Sequence, residues 1–268
     1  MVESPYRIKP GRNVDLSKYV TDDTGDFEDK SAAKPEVDRD LKRLVKLQDL
    51  LYASGKHALL IVFQAMDAGG KDGSISHVFS GVNPQGCEVT SFKVPTQEEL
   101  AHDYLWRYHR ACPKHGMIGI FNRSHYESVL VERVHELVPE KVWSKRYDQI
   151  NEFEEMLVSE KTVILKFFLH ISKEEQKRRF EERLKDKTKN WKFSYSDLAE
   201  RKYWDEYMTA WKELLKKCST DYAPWYVIPS DHKWYRNWCL SDTIVRALKE
   251  LKMKYPPAPK GLKKIKIK

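Results

Sequence analysis

Residues 58–74 read ALLIVFQAMDAGGKDGS, and two changes of pattern inside this stretch decide the fold. Residues 58–63 are an unbroken apolar run, as expected of a strand buried on both faces. Residues 64–73 form a polar, glycine-bearing loop, and a helix is expected to open at Ser74. Strand, glycine loop and helix together make a layout in which backbone N–H groups and the positive end of the helix cradle phosphate oxygens. Ala68, Gly69, Gly70, Lys71, Asp72, Gly73 and Ser74 are the expected cradle. The three glycines are expected to allow close backbone approach and unusual φ, and Lys71 to supply a point charge to a transferred phosphoryl group. Against the pattern GxxxxGK[ST] there are two departures: Ala65 stands for the first glycine, and Asp72 for the Mg²⁺-binding hydroxyl residue. The missing hydroxyl predicts that Mg²⁺ is held differently, with Asp67 as first candidate ligand. The competing reading is a glycine turn capping a strand. The strand–loop–helix context, with Asp67 inside the loop, favours the phosphate site.

Downstream, the alternation becomes regular. Strands are predicted at 87–94, 117–121, 162–169 and 225–228, with helices at 96–111, 125–134, 139–159, 172–184, 196–217 and 234–251. Thr96-Gln97-Glu98-Glu99 and Ser172-Lys173-Glu174-Glu175 are capping boxes that fix two of these starts. Five apolar strands alternating with helices imply a parallel sheet covered on both faces. Upstream, 36–52 repeats apolar residues at helical spacing, while 1–35 mixes prolines and glycines with an acidic patch and reads as an extended arm. The expected organisation is an arm at 1–35, one α/β domain at 36–255 and a basic tail at 256–268.

In such sheets ligands sit beyond the carboxyl ends of the strands. The third strand runs into FNRSHYE at 121–127. Asn122 occupies the usual place of a Walker-B acid, and Glu127 brings a carboxylate to the same region. Arg123 can grip a phosphate through two N–H groups, with a surface ion pair as its bland alternative. His125 reads as a satisfied, partly buried histidine. Residues 173–192 hold nine basic side chains and five acids. Arg179 and Arg183 share a helix face there, and with Lys189 they are the phosphate candidates, whereas Lys177 and Lys185 read as solvated. Nucleotide kinases carry a mobile, arginine-bearing lid at this place, so 178–200 is the expected lid. Lys233 and Arg236, after the fifth strand, are further candidates for phosphate contact.

Composition bounds the rest. Hydrophobic residues make up 41% and charged residues 33% of the 268 residues. No apolar run approaches the roughly 18 residues of a spanning helix. The N-terminus lacks an apolar h-region, so no secretory leader is expected. Four scattered cysteines (87, 112, 218, 239) read as small hydrophobes in a reducing cytoplasm. The net charge is +8, but the last twenty residues hold eight lysines and one acid, leaving 40 Lys/Arg against 39 Asp/Glu. The tail reads as a solvated end, with contact to an anionic ligand as the other reading. A near-neutral body argues against general nucleic-acid binding, so any polyanion site must come from local clustering.

The loop QAMDAGGKDG (64–73), FNRSHYESVLVERV (121–134), EEQKRRFEERL (174–184) with KNWKF (189–193), VPTQEELAHDYLWRYH (94–109) and APWYVIPSDHKWYRNW (223–238) together resemble the type 2 polyphosphate kinase family. The matches span roughly residues 57–240, and YRIKPG (6–11) fits as well. The resemblance implies a P-loop kinase, thymidylate-kinase-like α/β fold of three layers, with a five-stranded parallel sheet and a helical lid. It implies Mg²⁺-dependent transfer, with Mn²⁺ able to substitute, of the terminal phosphoryl group between inorganic polyphosphate and AMP, ADP or ATP. It assigns Asp67 and Lys71 to the Walker A segment, Arg123 and Glu127 to Walker B, and Arg179 and Arg183 to the lid helix. Asp67 and Glu127 are then the metal ligands. Lys93, Asp103, Asn122, Arg123, Glu127 and Arg133 are expected on the nucleotide side. The FNRSHYE form resembles the subgroup that phosphorylates both AMP and ADP. Transfer is expected to be direct, without a phosphohistidine, in a homodimer or homotetramer. An ATP-dependent nucleoside monophosphate kinase of the same fold is one alternative, and a non-enzymatic P-loop switch or nucleic-acid module is another. A GTPase NKxD motif is absent.

Overall fold

The computed structural model describes residues 2–262 and residue 265. Lys263, Lys264, Lys266 and Lys268 of the basic tail lie outside the described residues. Five strands, β1 (Ala58–Ala65), β2 (Cys87–Ser91), β3 (Ile118–Asn122), β4 (Thr162–His170) and β5 (Trp225–Pro229), form a parallel sheet in the order β2-β3-β1-β4-β5. The helices are α1 (Lys30–Ser54), α2 (Lys71–Val78), α3 (Gln97–Leu100), α4 (Trp106–Arg110), α5 (Val131–Val134), α6 (Glu140–Ser159), α7 (Lys173–Lys185), α8 (Tyr195–Glu200), α9 (Trp204–Cys218) and α10 (Lys233–Glu250). β1 is central, and its first six residues are fully buried, as the apolar run predicts.

Because side chains alternate along a strand, β1 feeds two cores. Leu60 and Val62 join a cluster with Ile150, Trp211 and Leu214 of α6 and α9. Leu59, Ile61 and Phe63 join a second with Leu44, Ile75 and Leu240 of α1, α2 and α10. The sheet is thus a middle layer between two helical layers.

Several expectations change: α2 opens at Lys71 rather than Ser74, β2 ends at Ser91 rather than 94, and the helix expected over 125–134 is a 3₁₀ turn at His125–Val129 followed by the short α5. α1 begins at Lys30, not 36, because Asp29 Oδ1 accepts from Ser31 N and Ala32 N and caps it. Pro35 then falls inside the helix. The helix expected over 96–111 is two short ones, since Asp103 Oδ1 accepts from Leu105 N at 2.9 Å and turns the chain between them. The helix expected over 196–217 is likewise α8 and α9, joined by a 3₁₀ turn at Arg201–Tyr203. The first residues of the chain are docked. Ile8 N donates to Trp225 O and Val227 N to Tyr6 O, which covers the edge of β5.

Candidate active site

The elements deliver their functional ends to one place, the carboxyl edge of β1 and β3. A cavity of about 590 Å³ opens there, within the usual range for a small-molecule site. The loop after β1 forms its floor, and Asp67 through Gly73 all line it. Gly70 is the N-cap of α2 with φ +98°, a conformation that favours glycine. A Cβ at Gly70 would also collide with Arg236 Nη1. At Gly69 a Cβ would lie 2.5 Å from Ala65 Cβ. Gly73 corrects the expectation: its φ is ordinary, and the nearest side-chain atom to an added Cβ is Arg236 Nη2 at 4.0 Å. The second positive φ of the loop belongs to Ala68, at 59°.

Lys71 points back along the strand, its Nζ donating to Ala65 O at 3.1 Å. Burial pushes its ammonium below the usual lysine range and Arg123 adds to this, while Asp67, Glu127 and Asp72 pull it back. Asp72 accepts from Asn122 Nδ2 at 2.7 Å, tying α2 to the end of β3. Ser74 does not line the cavity; its hydroxyl is buried without a partner beneath the helix start.

Arg123 sits immediately after β3 at φ +64°. Its Nη2 meets Asp67 Oδ1 at 3.0 Å and its Nη1 meets Glu127 Oε2 at 3.3 Å. Glu127 foremost, against burial and with Asp67 helping, raises the Arg123 pKa above its ordinary value. Glu127 lies behind this guanidinium in a small recess of about 30 Å³ that shares Asp67 and Arg123 with the main cavity. Gln64 Nε2 donates to its Oε1 at 2.9 Å. Among the described residues no three His, Cys, Asp or Glu side chains converge as a metal-binding set. One carboxylate open to the cavity, Asp67, and one in the adjoining recess, Glu127, are instead the sparse donor set that Mg²⁺ uses when phosphates and water complete its shell. Asp67 and Glu127 therefore fit.

Arg179, Arg183, Lys189 and Lys233 all line the cavity. Arg179 is 5% exposed and braces the floor, donating from Nη1 to Ala68 O at 3.0 Å and from Nη2 to Ser230 O. Arg183 meets Asp197 at 3.4 Å, Lys189 meets Asp186 at 2.7 Å and Lys233 meets Glu182 at 3.9 Å. Arg236 lies behind Gly70, 3% exposed, with Nε and Nη2 donating to Asn237 Oδ1. It has no ion-pair partner among the described residues. Burial, with Arg179 adding, pushes it down to about 9.

On the nucleotide side, Lys93 and Asn122 line the cavity. Arg107 donates to Lys93 O at 3.0 Å and also meets Glu99, fixing that edge. Two expected residues are elsewhere. Asp103 is spent on the turn before α4. Arg133 faces a second cavity, stacked over Trp143 at 4.3 Å and paired with Glu213 at 2.6 Å. The 3₁₀ turn His125–Val129 and short α5 rotate it away from the phosphate edge. His125 is fully buried rather than partly so, and no histidine is among the residues that line the main cavity.

The sequence reading missed Asp197 and Trp191. Asp197 brings a carboxylate from the first turn of α8 into the cavity. Burial raises its pKa, with Asp67 adding and Arg183 opposing. Inside a predicted long amphipathic helix it reads as one more solvated acid. Trp191 lines the cavity although 78% exposed, and the lone aromatic of a polar loop was its signal.

Known proteins resemble this chain in sequence and in fold. The family description Polyphosphate kinase 2 (PPK2) matches residues 28–256. The chain is 54% identical over 263 residues to the AMP/ADP-polyphosphate phosphotransferase of Meiothermus ruber, covering 98% of each chain. It is 47% identical to the ADP-polyphosphate phosphotransferase of Rhodopseudomonas palustris, covering 94% of this chain and 91% of that one. Among solved structures, Polyphosphate Kinase 2 from Arthrobacter aurescens superposes with a TM-score of 0.93 at 40% identity, covering 97% and 93% of the two chains. With fold and sequence in agreement, this chain belongs to the polyphosphate kinase 2 family.

Proposed function

We propose that this protein transfers the terminal phosphoryl group of inorganic polyphosphate directly to AMP and to ADP, giving ADP and ATP, in a reversible, Mg²⁺-dependent reaction. The observation that carries this reading is the charge of the cavity. Its lining holds eight Lys/Arg against four Asp/Glu, in a body whose totals, cavity included, are 40 against 39, and Arg236 adds a buried cation behind the floor that has no ion-pair partner among the described residues. Such a ring suits a chain of like charges better than one small anion. The names of the Meiothermus and Rhodopseudomonas relatives support the donor and the acceptors.

The backbone amides of Gly70–Gly73 at the start of α2 and the Lys71 ammonium hold the end of the donor, whereas the Ser74 amide is already bonded to Gly70 O and the Gly69 amide to Met66 O. Arg179 keeps that loop in shape from behind through Ala68 O, and Arg236 adds positive charge behind Gly70. Arg183, Lys189 and Lys233 follow the chain outward, and the segment 178–200 acts as a lid over it. Arg123, held between Asp67 and Glu127, grips the acceptor phosphate beside Lys93 and Asn122. Asp67 and Glu127 would hold the Mg²⁺, which when bound neutralises phosphate charge. The chain's own contribution is positioning and charge stabilisation of an in-line attack. A cavity without histidine in its lining supports direct transfer rather than a phosphohistidine. Among the described residues no helix is long and apolar enough to cross a membrane. Four free thiols fit a reducing cytoplasm, and an assembly of two or four copies completes the proposal, checked by light scattering.

The test is product analysis with Mg²⁺. ADP and then ATP are expected from AMP plus polyphosphate. Conversion of AMP only when ATP is the donor would make the protein an ordinary nucleotide kinase.

A further inference from the structure

Beneath the site lies a set of ionisable groups that lines none of the cavities described above and that phosphoryl transfer does not use. Lys166, in the middle of β4, and Glu154, on α6, are both fully buried and meet at 2.5 Å. Lys166 Nζ also donates to Tyr126 OH at 2.8 Å and to Cys218 O at 2.7 Å, so all three of its protons have acceptors. Glu154 Oε1 accepts from Tyr126 OH at 2.8 Å and meets His125 Nε2 at 3.1 Å. A carboxylate only accepts, so the histidine proton sits on Nε2, and Nδ1 is left buried without a partner. Burial lowers the His125 pKa, against the pull of Glu154, and keeps the ring neutral.

A buried ion pair is a poor source of net stability; an apolar pair of similar volume would fill this core as well or better. Its two tethers, however, end on His125 and Tyr126, two and three residues after Arg123. Arg123 sits in the left-handed region at φ +64°, a conformation a non-glycine residue keeps only where its surroundings over-determine it. The same turn is fixed from its far end by Arg146, which donates to Ser128 O at 3.0 Å.

We propose that the buried Glu154–Lys166 pair, acting through Tyr126 and His125, is a positioning device that holds Arg123 and Glu127 where the acceptor phosphate is gripped. The inference rests on the proposed placement of the acceptor at Arg123. It separates positioning from scaffolding, because donor-side cations on α2, α7 and α10 lie outside the tethered turn.

The experiment measures AMP and inorganic tripolyphosphate affinity, with Mg²⁺, in Glu154→Leu/Lys166→Met and in Tyr126→Phe. The second variant keeps the ion pair and loses only the hydroxyl, so it folds even if the first does not. In the folded variants AMP affinity is expected to fall by about tenfold for the double change and about threefold for Tyr126→Phe, as displaced positioning groups do. Tripolyphosphate affinity is expected to stay within about twofold, as for a site that is not coupled to the change. Tyr126→Phe is expected to add nothing further in an Arg123→Ala background. Equal weakening of both ligands would make the cluster a general scaffold and overturn the inference, as would unchanged AMP affinity where Arg123→Ala does weaken it. If Arg123→Ala itself left AMP binding and turnover unchanged, the acceptor placement would fall, and the inference with it.

Discussion

Arg179 and Arg183 lie one turn apart on the same face of α7, yet they belong to different kinds of wall. Arg179 is buried, and its guanidinium is committed to Ala68 O, Ser230 O and Glu175. Arg183 is tied to Lys192 O at 3.2 Å and to Asp197 at 3.4 Å, both on the surface segment that follows. On the first side, Gln176 Nε2 also donates to Asp67 O, so α7 clamps the floor loop from both ends of its path. On the second side, among the described residues, Lys189 ion-pairs only with its neighbour Asp186, and Trp191 and Tyr195 stand in solvent. A cation of the first kind cannot reach for a ligand without dismantling the loop. One of the second kind exchanges a weak, screened local partner for a phosphate at little cost. The cavity thus combines a preformed floor with an adjustable cover, which suits a donor whose length varies while its reacting end does not.

The sharpest way to break this comparison is at the floor. Lys71→Ala is expected to lower turnover by about a thousandfold, the scale of losing a preorganised charge at a developing anion, with the unfolding transition unmoved. Near-normal turnover would remove Lys71 from the chemistry. Gly70→Ala forces an L side chain to φ +98° and into Arg236; it is expected to destabilise by about 1–3 kcal/mol and to impair turnover in the folded fraction. Chemical denaturation checks the first part. On the cover, Trp191→Ala is expected to change stability by less than about 0.5 kcal/mol, as exposed substitutions do. Lys189→Ala is expected to raise the KM for polyphosphate several-fold, an effect that fades as salt is added. A large stability loss in either cover variant would mean that both walls are built alike.

How much of this was legible in the sequence follows the same division. The floor could be read because a switch from an apolar run to a glycine loop to a helix start occupies seventeen consecutive residues. Asp67, Lys71, Arg123 and Glu127 come together as that reading expects. What could not be read depended on contacts distant in sequence. Arg236 looks like any basic residue of an amphipathic helix, and only the fold shows that it is buried against Gly70. Arg133, ten residues after Arg123, is carried to another cavity by a 3₁₀ turn that has no strong sequence mark. Asp103 is a plausible ligand in an unbroken helix, but its carboxylate is what breaks the helix. Pro35 reads as the end of an arm, yet Asp29 caps a helix that runs through it.

Arg236 gives the most direct test. An arginine whose pKa is depressed on folding binds protons more weakly in the native chain than in the unfolded one. Stability attributable to it therefore rises with pH from about 9 toward the ordinary arginine value, and below about 9 the native state carries the whole desolvation cost. We would compare the wild type with Arg236→Met by thermal unfolding at neutral pH, with and without tripolyphosphate. The account predicts that Arg236→Met raises Tm without the anion, by about 1–4 kcal/mol of stability, and that tripolyphosphate then stabilises the variant less than the wild type. A variant less stable than the wild type, with the tripolyphosphate shift intact, would contradict the claim that the floor holds surplus positive charge for a polyanion.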